Sequence, residues 1–170
     1  MAPRTPKEKP VLVVDTREKQ PWDFEGDEAF AEVVYEKLDG GDYSIRGMEH
    51  IITIERKATV DELFTNFTKD KKRIAAEFDR LSDHPFKFVV VEETCDDIMN
   101  PHKYYINKKK INRQNPKMPV AVVTSNLTKL MLESDVHVIF GGMRAQAMAR
   151  GILLHAYELH RKGRLVDESE

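Results

Sequence analysis

Three short β-rich runs constrain the fold most: residues 11–14 (Val-Leu-Val-Val), 86–91 (Phe-Lys-Phe-Val-Val-Val) and 136–140 (Val-His-Val-Ile-Phe). Each stops abruptly, at Asp15, at Glu92-Glu93 and at Gly141-Gly142 respectively. Such runs read as buried strands with polar residues at their C-terminal tips. If 86–91 and 136–140 lie parallel, they need a crossover between them, and a helix beginning near Pro119 supplies it. Leu127, Leu130 and Met131 have helical spacing there, although residues 120–123 taken alone would also suit a strand. The expected class is therefore α/β.

Residues 27–38 carry Phe30, Val33, Val34 and Leu38 at helical spacing before Asp39-Gly40-Gly41, which predicts a first helix. Residues 42–45 and 50–57 are β-rich and separated by a glycine-containing turn, a hairpin. An apolar stripe over residues 61–81, interrupted around Lys69 to Lys72, predicts one long or broken amphipathic helix. Residues 95–117, rich in Asn, Pro and Lys, read as a long loop, and residues 143–160 as a strong helix. The expected division is a disordered tail over 1–10, one domain over 11–160 and a charged tail over 161–170.

The sequence has 170 residues, of which 41% are hydrophobic, enough apolar side chain for one core. Its single cysteine, Cys95, rules out a disulfide framework or thiolate-rich zinc site within the chain. No secretory signal and no stretch of about 18 apolar residues is present, so the expectation is a soluble protein in a reducing, intracellular compartment, cytoplasmic or nuclear. A formal charge of −2 excludes a uniformly basic coat, but the charges are unevenly placed. Acids recur at Asp15, Glu18, Asp42, Glu55 and Asp61, while Lys69, Lys71, Lys72 and Arg73 form one basic cluster and Lys108, Lys109, Lys110 and Arg113 another.

The informative spacing is Asp42, twelve residues, then Glu55-Arg56-Lys57. Alternate side chains of a strand share a face, so Glu55 and Lys57 emerge together while Arg56 points to the other side. A hairpin that returns beside Asp42 brings two carboxylates and an ammonium together. Carboxylate oxygens suit Mg²⁺ or Mn²⁺, and Lys57 would orient a water or stabilise charge on a phosphorane-like transition state.

Asp and Glu-x-Lys form the signature of the PD-(D/E)XK nuclease superfamily. Asp15-Thr16-Arg17-Glu18, Gly41-Asp42-Tyr43, and Glu55-Arg56-Lys57 followed after three residues by Asp61 together resemble the XPF-type nuclease domain of structure-specific endonucleases. The resemblance extends to Arg73 and Glu77 and to the strand ending at Glu92. It implies a restriction-endonuclease-like central mixed sheet flanked by helices. It also implies a catalytic set of Asp15, Asp42, Glu55, Arg56, Lys57 and Asp61, with Asp15, Asp42 and Glu55 on the metal. Family members commonly carry a tandem helix-hairpin-helix region after this domain, and the sequence ends about ten residues past its last helix. A stand-alone nuclease domain is the expectation. The family's C-terminal face often dimerises, which makes a homodimer through the last helix a further expectation.

Expected DNA contacts are Arg17, Lys72, Arg73, Lys108, Lys109, Lys110 and Arg113, with Tyr104 and Tyr105 available to stack on bases. Each has a bland alternative: a surface ion pair for Arg17 and Glu18, a solvated loop for the lysines, a helix N-terminal acid for Asp61, and packing for Tyr43 and Trp22. The expected activity is metal-dependent cleavage of DNA near flaps, forks or junctions, in repair, recombination or replication. A non-catalytic DNA-binding or scaffold module and a junction resolvase or restriction-type nuclease are the rival readings.

Overall fold

The computed structural model describes residues 8–68, 71–100 and 120–165. The expected contacts at Lys69, Tyr104, Tyr105, Lys108, Lys109, Lys110 and Arg113 lie outside these residues, as do the side chains of Lys71, Arg73 and Glu77.

Six strands form one mixed sheet: β1 (Val11–Asp15), β2 (Glu32–Glu36), β3 (Tyr43–Ile45), β4 (Ile52–Lys57), β5 (Phe86–Val91) and β6 (His137–Phe140), in the spatial order β2-β1-β3-β4-β5-β6. The pairs β1–β2, β4–β5 and β5–β6 are parallel, and β3 runs against both β1 and β4. All strands except β3 therefore point the same way. Their C-terminal tips share one edge of the sheet with the start of β3.

Helices cover both faces. α1 (Val60–Thr68), α2 (Lys71–Ser82) and α4 (Val120–Glu133) lie on one side, where Leu63, Phe64, Leu81, Leu127 and Leu130 pack with Val89 and Val91. On the other, α5 (Ala145–Arg161) buries Ala149, Leu153 and Ala156 against Leu12, Val14, Tyr43, Ile54 and Val90. Alternation along the strands sends Val89 and Val91 to one core and Val90 to the other, as period-2 geometry requires. The helical crossover between β5 and β6 and the broken helix after β4 agree with the sequence pattern. No helix among the described residues is long and apolar enough to cross a membrane.

The expected helix over residues 27–38 is absent. Asp27 instead caps a tight turn, accepting from Ala29 N at 3.0 Å, and Phe30 drops into the core. The β-branched and aromatic run Val33-Val34-Tyr35 then pairs along β1 as an edge strand. Helical spacing of apolar residues lost here to a strand partner whose backbone groups needed satisfying. The expected loop also begins with a short helix, α3 (Cys95–Met99), fixed by a reciprocal capping box between Thr94 and Asp97. Pro10 and Leu165, which flank the expected 11–160 domain, are both buried. Past α5, Gly163 at φ +63° donates to His160 O and Arg164 N to Leu159 O, which turns the chain so that Leu165 reaches the core.

Candidate active site

Three acids meet in one row because of strand register. Val14 pairs with Tyr43 and Tyr43 with Ile54, so one step further Asp42 lies across from both Asp15 and Glu55. Asp15 N donates to Asp42 O and Asp42 N to Ile54 O, each at 2.8 Å, which extends the ladder through the row. Gly41 makes this approach possible. Its φ is +76°, and a Cβ there would sit 2.0 Å from Thr53 Oγ1 and 3.0 Å from Ile54 O. Gly41→Ala should destabilise the protein by at least about 2 kcal/mol and displace the adjacent Asp42. Thermal unfolding with an unchanged midpoint would contradict that close approach.

The row opens into a cleft of about 520 Å³ lined by Asp42, Glu55 and Lys57, with Arg17, Glu18 and Glu62 among the other residues on its walls. Lys57 Nζ lies 2.5 Å from Glu55 Oε1, and both side chains are buried. Asp42 Oδ2 accepts from Arg56 N at 2.7 Å, which turns its carboxylate toward β4.

Asp15 has a different task. Its Oδ1 accepts from Arg17 N and Nε, and its Oδ2 from a second Arg17 nitrogen and from Leu38 N, all within 2.8 Å. Burial alone would raise its pKa, but the hydrogen bonds from Arg17 and Leu38 outweigh it and hold the carboxyl below its ordinary value. Both oxygens of Asp15 thus hold Arg17 in place, on the wall of the same cleft. A carboxyl with a depressed folded pKa stabilises above its unfolded pKa, and that contribution is lost as pH falls through the folded value. Asp15→Asn should therefore be less stable than the parent near neutral pH, with the gap narrowing below about pH 4. Thermal midpoints across pH test this; a gap that stays constant to about pH 3 would contradict it.

Arg56 faces the other side of β4, as alternation predicts. Its Nε donates to Glu92 Oε1 at 2.7 Å, another of its nitrogens lies 3.4 Å from Glu18, and its guanidinium sits 5.6 Å from the centre of the Trp22 ring. Trp22 Nε1 also donates to Glu92, its ring stacks on Tyr43 at 4.8 Å, and its backbone N–H donates to the Tyr43 hydroxyl. Trp22 and Tyr43 are thus packing residues, but packing that holds Arg56 at the cleft. The loop carrying Trp22 is tied to α5, where Gln146 Nε2 donates to Asp23 O and Arg150 pairs with Asp27.

Asp61 is exposed and does not line the cleft, while the next residue, Glu62, does. Lys72 is exposed on α2. Trp22, Glu92, Glu62 and Arg80 were absent from the sequence-derived set. Thr59-x-x-Glu62 is a capping-box spacing that could have drawn attention to Glu62. Ile152, Leu153, Ala156 and Leu159 of α5 all pack in the core of this chain.

Among the described residues, no three His, Cys, Asp or Glu side chains are arranged to hold a metal. Asp42 and Glu55 nevertheless supply the hard oxygen donors that Mg²⁺ or Mn²⁺ takes, and Mg²⁺ usually keeps several waters and binds through one or two carboxylates. The donor set of Asp42 and Glu55, with Asp15 on the same cleft, fits such an ion.

No family model and no curated protein matches the sequence. Among solved structures, XPF from Aeropyrum pernix in complex with DNA matches with a TM-score of 0.59 at 20% identity, over 95% of this chain and 70% of that one. The chain shares its fold with that protein. A second structure of XPF from Aeropyrum pernix matches with a TM-score of 0.60 at 18% identity, covering 95% of this chain and 67% of that one. The mixed sheet with flanking helices expected from the sequence is thus an arrangement shared with XPF from Aeropyrum pernix.

Proposed function

We propose that this protein is a metal-dependent endonuclease that hydrolyses phosphodiester bonds in DNA, acting on flaps, forks or junctions during repair, recombination or replication inside the cell. The observation that carries this reading is the meeting of Asp42, Glu55 and Lys57 in one cleft, on a fold shared with a protein solved in complex with DNA. Asp42 and Glu55 would hold Mg²⁺ or Mn²⁺. Such an ion, when bound, polarises the phosphate and makes a bound water more acidic. Lys57 places a fixed positive charge beside Glu55, where it can stabilise charge building on a phosphate oxygen. Arg17 is half exposed and clamped along one edge by Asp15 and Leu38 O, so it can meet a phosphate without losing further side-chain freedom. Lys72 lies on the same side of the sheet as a further phosphate contact, and DNA is the partner implied.

Purified protein should be assayed with Mg²⁺ or Mn²⁺ on flap, fork, nicked, duplex and single-stranded DNA. Cleavage that needs the ion and favours branched substrates is expected. Binding of DNA without cleavage under any of these conditions would overturn the enzymatic reading.

A further inference from the structure

Lys57 is close to the carboxylates of Glu55 and Glu62, and of these Glu55 is proposed to hold a metal. Its Nζ is 2.5 Å from Glu55 Oε1 and 3.9 Å from Glu62 Oε1, and the lysine side chain is 3% exposed. Glu62 is held from behind: its Oε2 accepts from Ala58 N at 2.9 Å, and its own backbone N–H donates to Thr59 Oγ1 at 3.1 Å. The carboxylate is therefore anchored at the start of α1 with Oε1 turned to the lysine, on the wall of the cleft.

A divalent ion on Asp42 and Glu55 would compete with Lys57 for Glu55 and would repel the ammonium. A buried ammonium that gives up one carboxylate needs another acceptor close by. We propose that Glu62 is a positioning residue that receives the Lys57 ammonium when Glu55 turns to the metal. The lysine then stays charged at the cleft. Moving from 3.9 Å to a hydrogen bond asks for a shift of about 1 Å, within the reach of a lysine side chain. The inference rests on the metal site proposed at Asp42 and Glu55.

Mn²⁺ binding to the full chain without DNA, measured by calorimetry, tests it. The proteins compared are the parent, Glu62→Gln, Lys57→Met and the double variant, with Lys57→Gln as a second uncharged background should Lys57→Met not fold. Gln keeps an acceptor for Ala58 N, so the cap survives and the metal-free unfolding midpoint of Glu62→Gln should match the parent. Glu62→Gln should weaken Mn²⁺ binding roughly tenfold when Lys57 is present. In the uncharged backgrounds the same change should cost less than about twofold. Equal losses in both backgrounds would mean that Glu62 acts on the cation directly, and no loss in either would mean that Lys57 needs no second partner; each overturns the inference while leaving the metal site standing. A parent protein that binds no Mn²⁺ would overturn the metal site itself, and the inference with it.

Discussion

Replacing Asp42 or Glu55 with alanine is expected to abolish DNA cleavage while leaving DNA binding intact or tighter. Each substitution removes one of the two carboxylates proposed to hold the metal. Each also removes a negative charge from a cleft that phosphates would enter, so affinity for DNA should not fall. Asp42→Ala further leaves the Arg56 backbone N–H without its side-chain acceptor, so a modest loss of stability should accompany it. Cleavage and DNA affinity measured on the same preparations decide the matter. Full activity in either variant would remove the metal from this cleft.

Lys57→Ala should lower turnover by about 100-fold or more. The lysine carries charge to the reacting phosphate but holds no metal, so Mn²⁺ affinity should be kept or improved. Its removal leaves Glu55 buried without the ammonium 2.5 Å away, and breaking a buried pair typically costs about 3–5 kcal/mol. Bound metal restores a positive neighbour to Glu55, so the stability lost should be recovered in part when Mn²⁺ is added. Turnover, Mn²⁺ affinity and thermal midpoint should be read together. A defect confined to metal affinity would make Lys57 a partner of Glu55 and nothing more.

Short-range periodicity made much of this site legible. Alternation along one strand is enough to put Glu55 and Lys57 on one face and Arg56 on the other, and a hairpin is enough to return Asp42 beside them. Taking the runs at 86–91 and 136–140 as parallel strands called for a crossover between them, and α4 supplies it. What stayed hidden depended on tertiary partners. Residues 32–36 are a strand because β1 offers them a backbone ladder, a fact that spacing among Val33, Val34 and Leu38 does not contain. Asp15 looks like a ligand in sequence, and only the folded chain shows Arg17 and Leu38 occupying its oxygens. Asp61 and Glu62 are adjacent acids at a helix start, and the turn of α1 decides which one faces Lys57. Trp22 reaches the site across the chain, through Glu92 and Tyr43, with no local pattern to mark it.

The row of acids spans β1, the start of β3 and β4, the interior of a sheet whose outer strands are β2 and β6. Amide hydrogens at Asp15, Asp42 and Arg56 are bonded across that interior, to Asp42 O, Ile54 O and the Asp42 carboxylate. Such amides exchange with solvent only when several strands separate together, whereas β2, bonded along one side, can fray while the rest stays closed. The row proposed for the chemistry therefore lies in the slowest-opening part of the described sheet, whose rim can breathe around a substrate without disturbing the groups that would cut it.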